Sequence, residues 1–145
     1  MATVREILRN KGSHVVSIGP EASALDAARL MNEKTVGSLL VMDGQNVVGI
    51  VTERDLLRRV LAERRDSAQT TVDEVMTAEI LCCQPHTTIE EARLVMRDRR
   101  LRHLPVIDDA GQLHGLISIG DLNAFEAHSN EVTIHVLTEY IHGRA

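Results

Sequence analysis

The chain has 145 residues, 43% hydrophobic and 26% charged, which suits one folded domain or two small fused ones and excludes the charge-rich, apolar-poor profile of a disordered chain. Only 1% is aromatic, Phe125 and Tyr140 with no Trp, so the core must be built from Val, Ile, Leu, Met and Ala, and stacking platforms for single-stranded nucleic acid are missing. A formal net charge of -5 and a pI near 5.8 oppose the counterion release that drives nonspecific binding to DNA or RNA.

In chain order, Thr3-Val4-Arg5-Glu6-Ile7-Leu8 reads as a short lead-in helix. Val15 to Ile18 is an apolar stretch ending at Gly19-Pro20, the pattern of a strand entering a turn. Ser23 is placed to cap a helix from Ala24 to Lys34, in which Ala24, Ala27, Ala28 and Met31 recur at helical spacing. Ser38 to Met42 and Val47 to Val51 predict a hairpin around Asp43-Gly44, and a closing helix begins near Thr52. The polar run Ala62 to Thr70 lacks apolar periodicity and reads as a linker.

The order then repeats. Thr71-Val72-Asp73-Glu74-Val75-Met76 matches the first lead-in, Ile80 to Cys83 runs into Gln84-Pro85, and Thr88 caps a helix from Ile89 to Arg99 carrying Ile89, Ala92 and Met96. His103 to Ile107 and Leu113 to Ile117 form a second hairpin, with a helix from near Ser118. Pro20 and Pro85, Met31 and Met96, and Asp43 and Asp108 are 65 apart, whereas Gly49 and Gly115, and Asp55 and Asp121, are 66 apart. One residue inserted in the second hairpin loop accounts for the change, at a place where length varies readily. The expected fold is therefore α+β, two β-α-β-β-α copies spanning 3–65 and 71–128 with lead-in helices. A carboxy-terminal helix over 129–145, from about Glu131, places Val132, Val136, Leu137, Tyr140 and Ile141 on one face for the protein's own core or a sister subunit.

The chemistry is sparse. Cys82 and Cys83 are adjacent, so a bridge between them would be strained, and they read as two small buried side chains in a strand. The seven His show no metal-ligand spacing, and His128, His135 and His142, seven apart, read as a surface or interface stripe. No nucleophile with a base and no paired carboxylates are visible, so no catalytic residue is assigned.

The informative segments are Gly49-Ile50-Val51-Thr52-Glu53-Arg54-Asp55-Leu56 and Gly115-Leu116-Ile117-Ser118-Ile119-Gly120-Asp121-Leu122. Both read Gly, two aliphatics, a hydroxyl, two variable positions, Asp, Leu. A hydroxyl followed three residues later by an acid is an ordinary capping box. It is also a group able to donate to phosphate at a helix amino terminus, one turn before a carboxylate able to accept from a sugar diol. One set of residues can serve both purposes.

The repeat, the Leu104-Pro105-Val106-Ile107-Asp108 strand and these two junctions resemble a tandem CBS-domain pair, or Bateman module, over nearly the whole chain. The string Arg102-His103-Leu104-Pro105-Val106 with Ser118-Ile119-Gly120-Asp121 resembles short stand-alone bacterial members. The resemblance implies copies related by a pseudo-two-fold axis with two clefts between them, each drawing on both copies. In one, Thr52, Arg54 and Asp55 would hold phosphate and ribose, with Thr87, Leu101, Arg102, His103 and Pro105 about the base. In the other, Ser118, Gly120 and Asp121 would do so, with Ala22, Val36, Gly37 and Ser38 about the base. Ala22 and Leu40 depart from their counterparts Thr87 and Pro105. The implied function is a non-catalytic regulatory sensor of AMP, ADP, ATP or NAD(H), acting as a homodimer without a required cofactor. The alternative is an oligomerisation scaffold in which the motifs only cap helices. The absence of a bilayer-length apolar stretch and of a signal-peptide core adds the expectation of a cytoplasmic protein without a membrane or nucleic-acid partner.

Overall fold

The structure, a computed structural model, describes residues 1–12 and 14–129; the expected helix from Glu131, with His135, Tyr140 and His142, lies outside them. The elements run α1 (Val4–Lys11), β1 (Ser17–Ile18), α2 (Ala24–Lys34), β2 (Ser38–Asp43), β3 (Asn46–Thr52), α3 (Glu53–Leu56), α4 (Val72–Val75), α5 (Ile89–Arg99), β4 (His103–Ile107), β5 (Leu113–Ser118) and α6 (Ile119–Ser129). A wider π-helical turn, Leu57–Leu61, continues α3. The repeated α+β order is the one expected. The chain divides into two compact units, one of residues 14–80 and the other of residues 1–13 together with those from 81 onward.

In the 14–80 unit, β1 lies parallel to β2, and β2 pairs antiparallel with β3. Ser23 begins α2 by accepting a hydrogen bond from the Asp26 N–H at 3.0 Å, which satisfies one of the donors left over in the first helical turn. Ala24, Ala27 and Met31 face inward and join Leu39, Val41, Val51 and Val60 in one core. The hairpin turns with Gly44 at φ +64, a positive value at the first loop position that glycine adopts without strain.

The second unit repeats this with small differences. Thr88 caps α5 through the Glu91 N–H at 3.1 Å, and Ile89, Ala92, Met96, Leu104, Val106, Ile117 and Leu122 make the core. The strand expected over Ile80 to Cys83 shrinks to a single parallel bridge from Cys83 to Val106. Cys83 is buried but Cys82 is exposed, so only one of the pair is a core side chain.

The lead-in segments depart from sequence adjacency. Val72 and Val75 of α4 sit in the core of the 14–80 unit, while Val4 and Ile7 of α1 sit in the core with α5 and β4. The backbone attachments match. The Val4 N–H donates to Thr87 O at 2.8 Å and the Ile89 N–H to Ala2 O at 3.2 Å, as the Val72 N–H donates to Ala22 O at 2.8 Å and the Ala24 N–H to Thr70 O at 2.8 Å. Each compact unit therefore contains the lead-in that precedes the other sequence copy. The expected linker is also tied down at its end: Thr70 is buried, Ser67 O accepts from the Leu25 N–H, and Thr71 bridges Ser23.

Candidate functional site

Each unit carries one strand-to-helix junction, and the two have the same local geometry. In the 14–80 unit, β3 delivers Thr52 to the amino end of α3. The Asp55 N–H donates to Thr52 Oγ1 at 3.2 Å, while Asp55 Oδ2 accepts from the Thr52 N–H at 2.9 Å and from its hydroxyl at 3.1 Å. In the other unit, the Asp121 N–H donates to Ser118 Oγ at 3.1 Å and Asp121 Oδ2 accepts from the Ser118 N–H at 2.8 Å. Both junctions are thus complete capping boxes. The carboxylates remain partly open to solvent, with 13% of the Asp55 side chain exposed and 23% of Asp121.

Within a unit, each junction lies beside pocket residues of its own copy. Thr52 pairs with Ser38, and the Glu53 N–H donates to Gly37 O at 3.0 Å. Ser118 pairs with His103, and the Ile119 N–H donates to Arg102 O at 2.9 Å. The sequence-based assignment grouped each junction with the residues of the opposite copy, which belong to the opposite unit.

Among the other expected site residues, Thr87 uses its hydroxyl to accept from the Gln84 N–H at 2.9 Å. Ala22 and Val36 pack half-buried against one core and Leu101 against the other. Pro105 is buried in β4, where its carbonyl accepts from the Cys83 N–H at 2.9 Å. Arg54 and Arg102 are exposed, as is Gly120.

Three charged residues matter here beyond the motif's own hydroxyl and acid. Glu53 lies over Gly37 so closely that a Cβ there would stand 3.1 Å from Glu53 Oε1, and the equivalent pair in the other copy is Ile119 with Arg102. Arg59 donates from Nη1 to Val75 O at 3.1 Å and Met76 O at 3.0 Å, which tethers the end of α4. Its Nε stands 3.9 Å from Asp55 Oδ1. Lys11 donates to Asp121 Oδ2 at 2.6 Å and to Leu116 O at 2.7 Å. Its place at the last turn of a lead-in helix gave no sequence signal for a contact 110 residues away.

The glycine that opens the first motif has a packing role. A Cβ on Gly49 would meet Met76 Sδ at 2.6 Å and Thr77 O at 2.8 Å, because residues 76 and 77 run against β3 with hydrogen bonds both ways between Ile50 and Thr77. Among the described residues, no group of three or more His, Cys, Asp or Glu side chains is placed to hold a metal ion, and no helix is long and apolar enough to cross a membrane.

Comparison with known proteins adds the family context. The CBS-domain family model matches residues 4–62 and 72–127. The chain is 32% identical over 142 residues to the CBS domain-containing protein YhcV of Bacillus subtilis, covering 98% of this chain and 97% of that one. It is similar to the crystal structure of a CBS-domain-containing protein from Agrobacterium tumefaciens, with TM-score 0.82, 36% identity and coverage of 86% of this chain and 99% of the other. It is also 35% identical over 114 residues to inosine-5'-monophosphate dehydrogenase of Korarchaeum cryptofilum, where the match covers 79% of this chain but 23% of the enzyme.

Proposed function

The chain belongs to the CBS-domain family, and from that membership we propose that it is a non-catalytic regulatory sensor that binds an adenine nucleotide at its strand-to-helix junctions. The observation that carries the proposal is the duplicated geometry at Thr52–Asp55 and Ser118–Asp121. Each junction presents a helix amino terminus suited to phosphate and, within one turn, a partly exposed carboxylate suited to a ribose diol. Arg54 and Arg102, both exposed, add planar cations near each junction. The part of inosine-5'-monophosphate dehydrogenase that this chain matches is under a quarter of the enzyme, which supports a regulatory rather than a catalytic role.

AMP, ADP, ATP and NAD(H) are the candidate ligands. The proposal includes a cytoplasmic homodimer, supported by Leu94 and Val95 of α5, which are 47% and 36% exposed side by side and would be covered by a second copy. A dimer mass in sedimentation equilibrium at micromolar concentration is expected; a monomer there ends that part of the proposal.

The scaffold alternative has one observation in its favour: both capping boxes are satisfied internally, the Thr52 hydroxyl included. Thermal unfolding with AMP, ADP, ATP, NAD, NADH and S-adenosylmethionine separates the two. A ligand present at 100 times its dissociation constant should stabilise the fold by about 2.7 kcal/mol, a rise of several degrees in a chain of this size. No rise with any of the six would leave the scaffold standing.

A further inference from the structure

The two junctions differ in the charge that approaches them. A cavity of about 450 Å³ opens within the second unit between α1 and α6, lined by Ile7, Asn10, Lys11, Asp121, Ala124 and Phe125. This volume lies in the range of small-molecule sites. Its walls are apolar at Ile7, Ala124 and Phe125 and polar at Asn10, Lys11 and Asp121. There the Lys11 ammonium is fixed by Asp121 Oδ2 at 2.6 Å and Leu116 O at 2.7 Å. An ammonium has three donors, so two bonds hold it in place and one can serve an anion.

Asp121 receives both Lys11 and the Ser118 N–H on Oδ2, which leaves Oδ1 as the oxygen for a ligand hydroxyl. The first junction lacks this arrangement. Continuing the alignment of Thr3–Leu8 with Thr71–Met76 puts Glu79 opposite Lys11, and α4 stops at Val75. The cation nearest Asp55 is Arg59, 3.9 Å away and spent on Val75 O and Met76 O, and the Glu53 carboxylate lies over Gly37, so no ammonium is held at Asp55 as Lys11 is held at Asp121.

We propose that the cavity between α1 and α6 receives the anionic group of the ligand held at Ser118–Asp121, and that Lys11 is its counter-charge and the residue that makes this junction select phosphorylated over uncharged nucleosides. Asp121 acts twice, by accepting a ribose hydroxyl and by positioning Lys11. The inference rests on the nucleotide-sensor reading and narrows it, because it assigns the charge preference to one junction.

The test measures AMP and adenosine binding by calorimetry, with Asp55→Ala in every arm so that the second junction is the one observed. With Lys11 present, AMP should bind more tightly than adenosine. Lys11→Ala and Lys11→Gln should each lower the AMP-to-adenosine affinity ratio by about tenfold, the low end for a charge-assisted contact at a partly exposed site, and should flatten the salt dependence of AMP binding. Lys11→Arg should restore most of the ratio. Thermal unfolding of each variant confirms a folded chain, and Lys11→Gln serves if the alanine variant does not fold. An unchanged ratio in the folded Lys11 variants, or equal losses for both ligands, would overturn the assignment and leave Lys11 a structural tether. Binding by the unsubstituted chain that vanishes with Asp55→Ala alone would also overturn it while sparing the sensor reading. Failure of both ligands on the unsubstituted chain would overturn the inference, while the thermal screen with all six ligands decides the adenine-nucleotide reading separately.

Discussion

At the scale of single residues, Asp55 and Asp121 carry two possible duties that substitution can separate. Capping is present in both, and losing it should cost at most about 1 kcal/mol of stability. Ligand binding would add a different signal. A carboxylate that accepts ribose hydroxyls leaves those donors unpaired when removed, which costs roughly 1 to 3 kcal/mol in binding, or about tenfold to a hundredfold in affinity. Asp55→Ala and Asp121→Ala, measured by calorimetry and by chemical denaturation, should show both effects; loss of stability with unchanged affinity would mean that capping is their whole role. The two should cost similar stability, since Asp121→Ala also releases Lys11 while Asp55→Ala also releases the Thr52 hydroxyl and Arg59. The cysteines make a second test. Burial first, then the neighbouring Cys82, pushes the Cys83 thiol up to about 12 against an opposing backbone hydrogen bond. Because the folded value is raised, Cys83 supports folding below its ordinary value of 9.0, and this support fades as pH rises from there toward about 12. The thiolate is the reactive form. Iodoacetamide at pH 8 should therefore label Cys82 alone in the folded chain and both cysteines in denaturant. Early labelling of Cys83 would mean that its side of the core opens readily.

At the scale of elements, the two long helices end in the same unusual way. α2 closes on Thr35 at φ +55 and α5 on Arg100 at φ +55, the left-handed conformation that usually falls to glycine. For a β-branched residue this is the more strained case, because the branched Cβ crowds the backbone. Thr35→Gly should stabilise the chain by about 0.5 to 1 kcal/mol, the relief of strain less the glycine's larger loss of entropy on folding. Arg100→Gly should gain less, since Arg lacks the branch. Denaturation midpoints compare them, and a destabilised Thr35→Gly would show that the Thr side chain makes a contact worth more than the strain. The hairpins show how a one-residue insertion is absorbed. β2 and β3 close through Gly44 and Gln45, whereas the longer second loop is organised by Asp108, whose Oδ1 accepts from the Ala110 and Gln112 N–H groups at 2.9 Å each. Both hairpins keep a register irregularity at matching places, after Val41 and after Val106, so the insertion stays in the loop.

At the scale of the whole molecule, the exchange of lead-in segments makes the amino terminus part of the unit built from the far half of the sequence. Val4 is fully buried there and Ile7 is 4% exposed. Burying two such side chains contributes roughly 3 to 6 kcal/mol, a large share of the 5 to 15 kcal/mol that holds a typical domain. Deleting residues 1–11 should therefore loosen α5, β4 and β5 first. Hydrogen exchange should show early loss of protection in 89–118, with 24–52 better preserved; the opposite order would mean that α1 supports the sequence copy it precedes.

Much of this fold was legible because its signals are local. Ser23 and Thr88 sit where a side-chain oxygen can cap the next turn, Ala24 to Lys34 and Ile89 to Arg99 keep helical apolar spacing, and those helices begin and end where the pattern does. The hydroxyl and acid of each junction were legible for the same reason, since a capping box closes within four residues. Partner choice was not. The lead-ins Val4/Ile7 and Val72/Val75 have the same apolar spacing, so either could fill either core, and only the path of the folded chain gives each to the other copy's elements. The same holds for Lys11 at Asp121 and for Glu53 over Gly37. A charge's nearest partner depends on distances through space, which spacing along the chain does not encode. The sequence by itself determined the duplicated elements and the two junctions, because local hydrogen bonds and apolar periodicity set them. Only the tertiary structure decided which lead-in completes which core and which cation meets which carboxylate, because packing across long stretches of chain sets those.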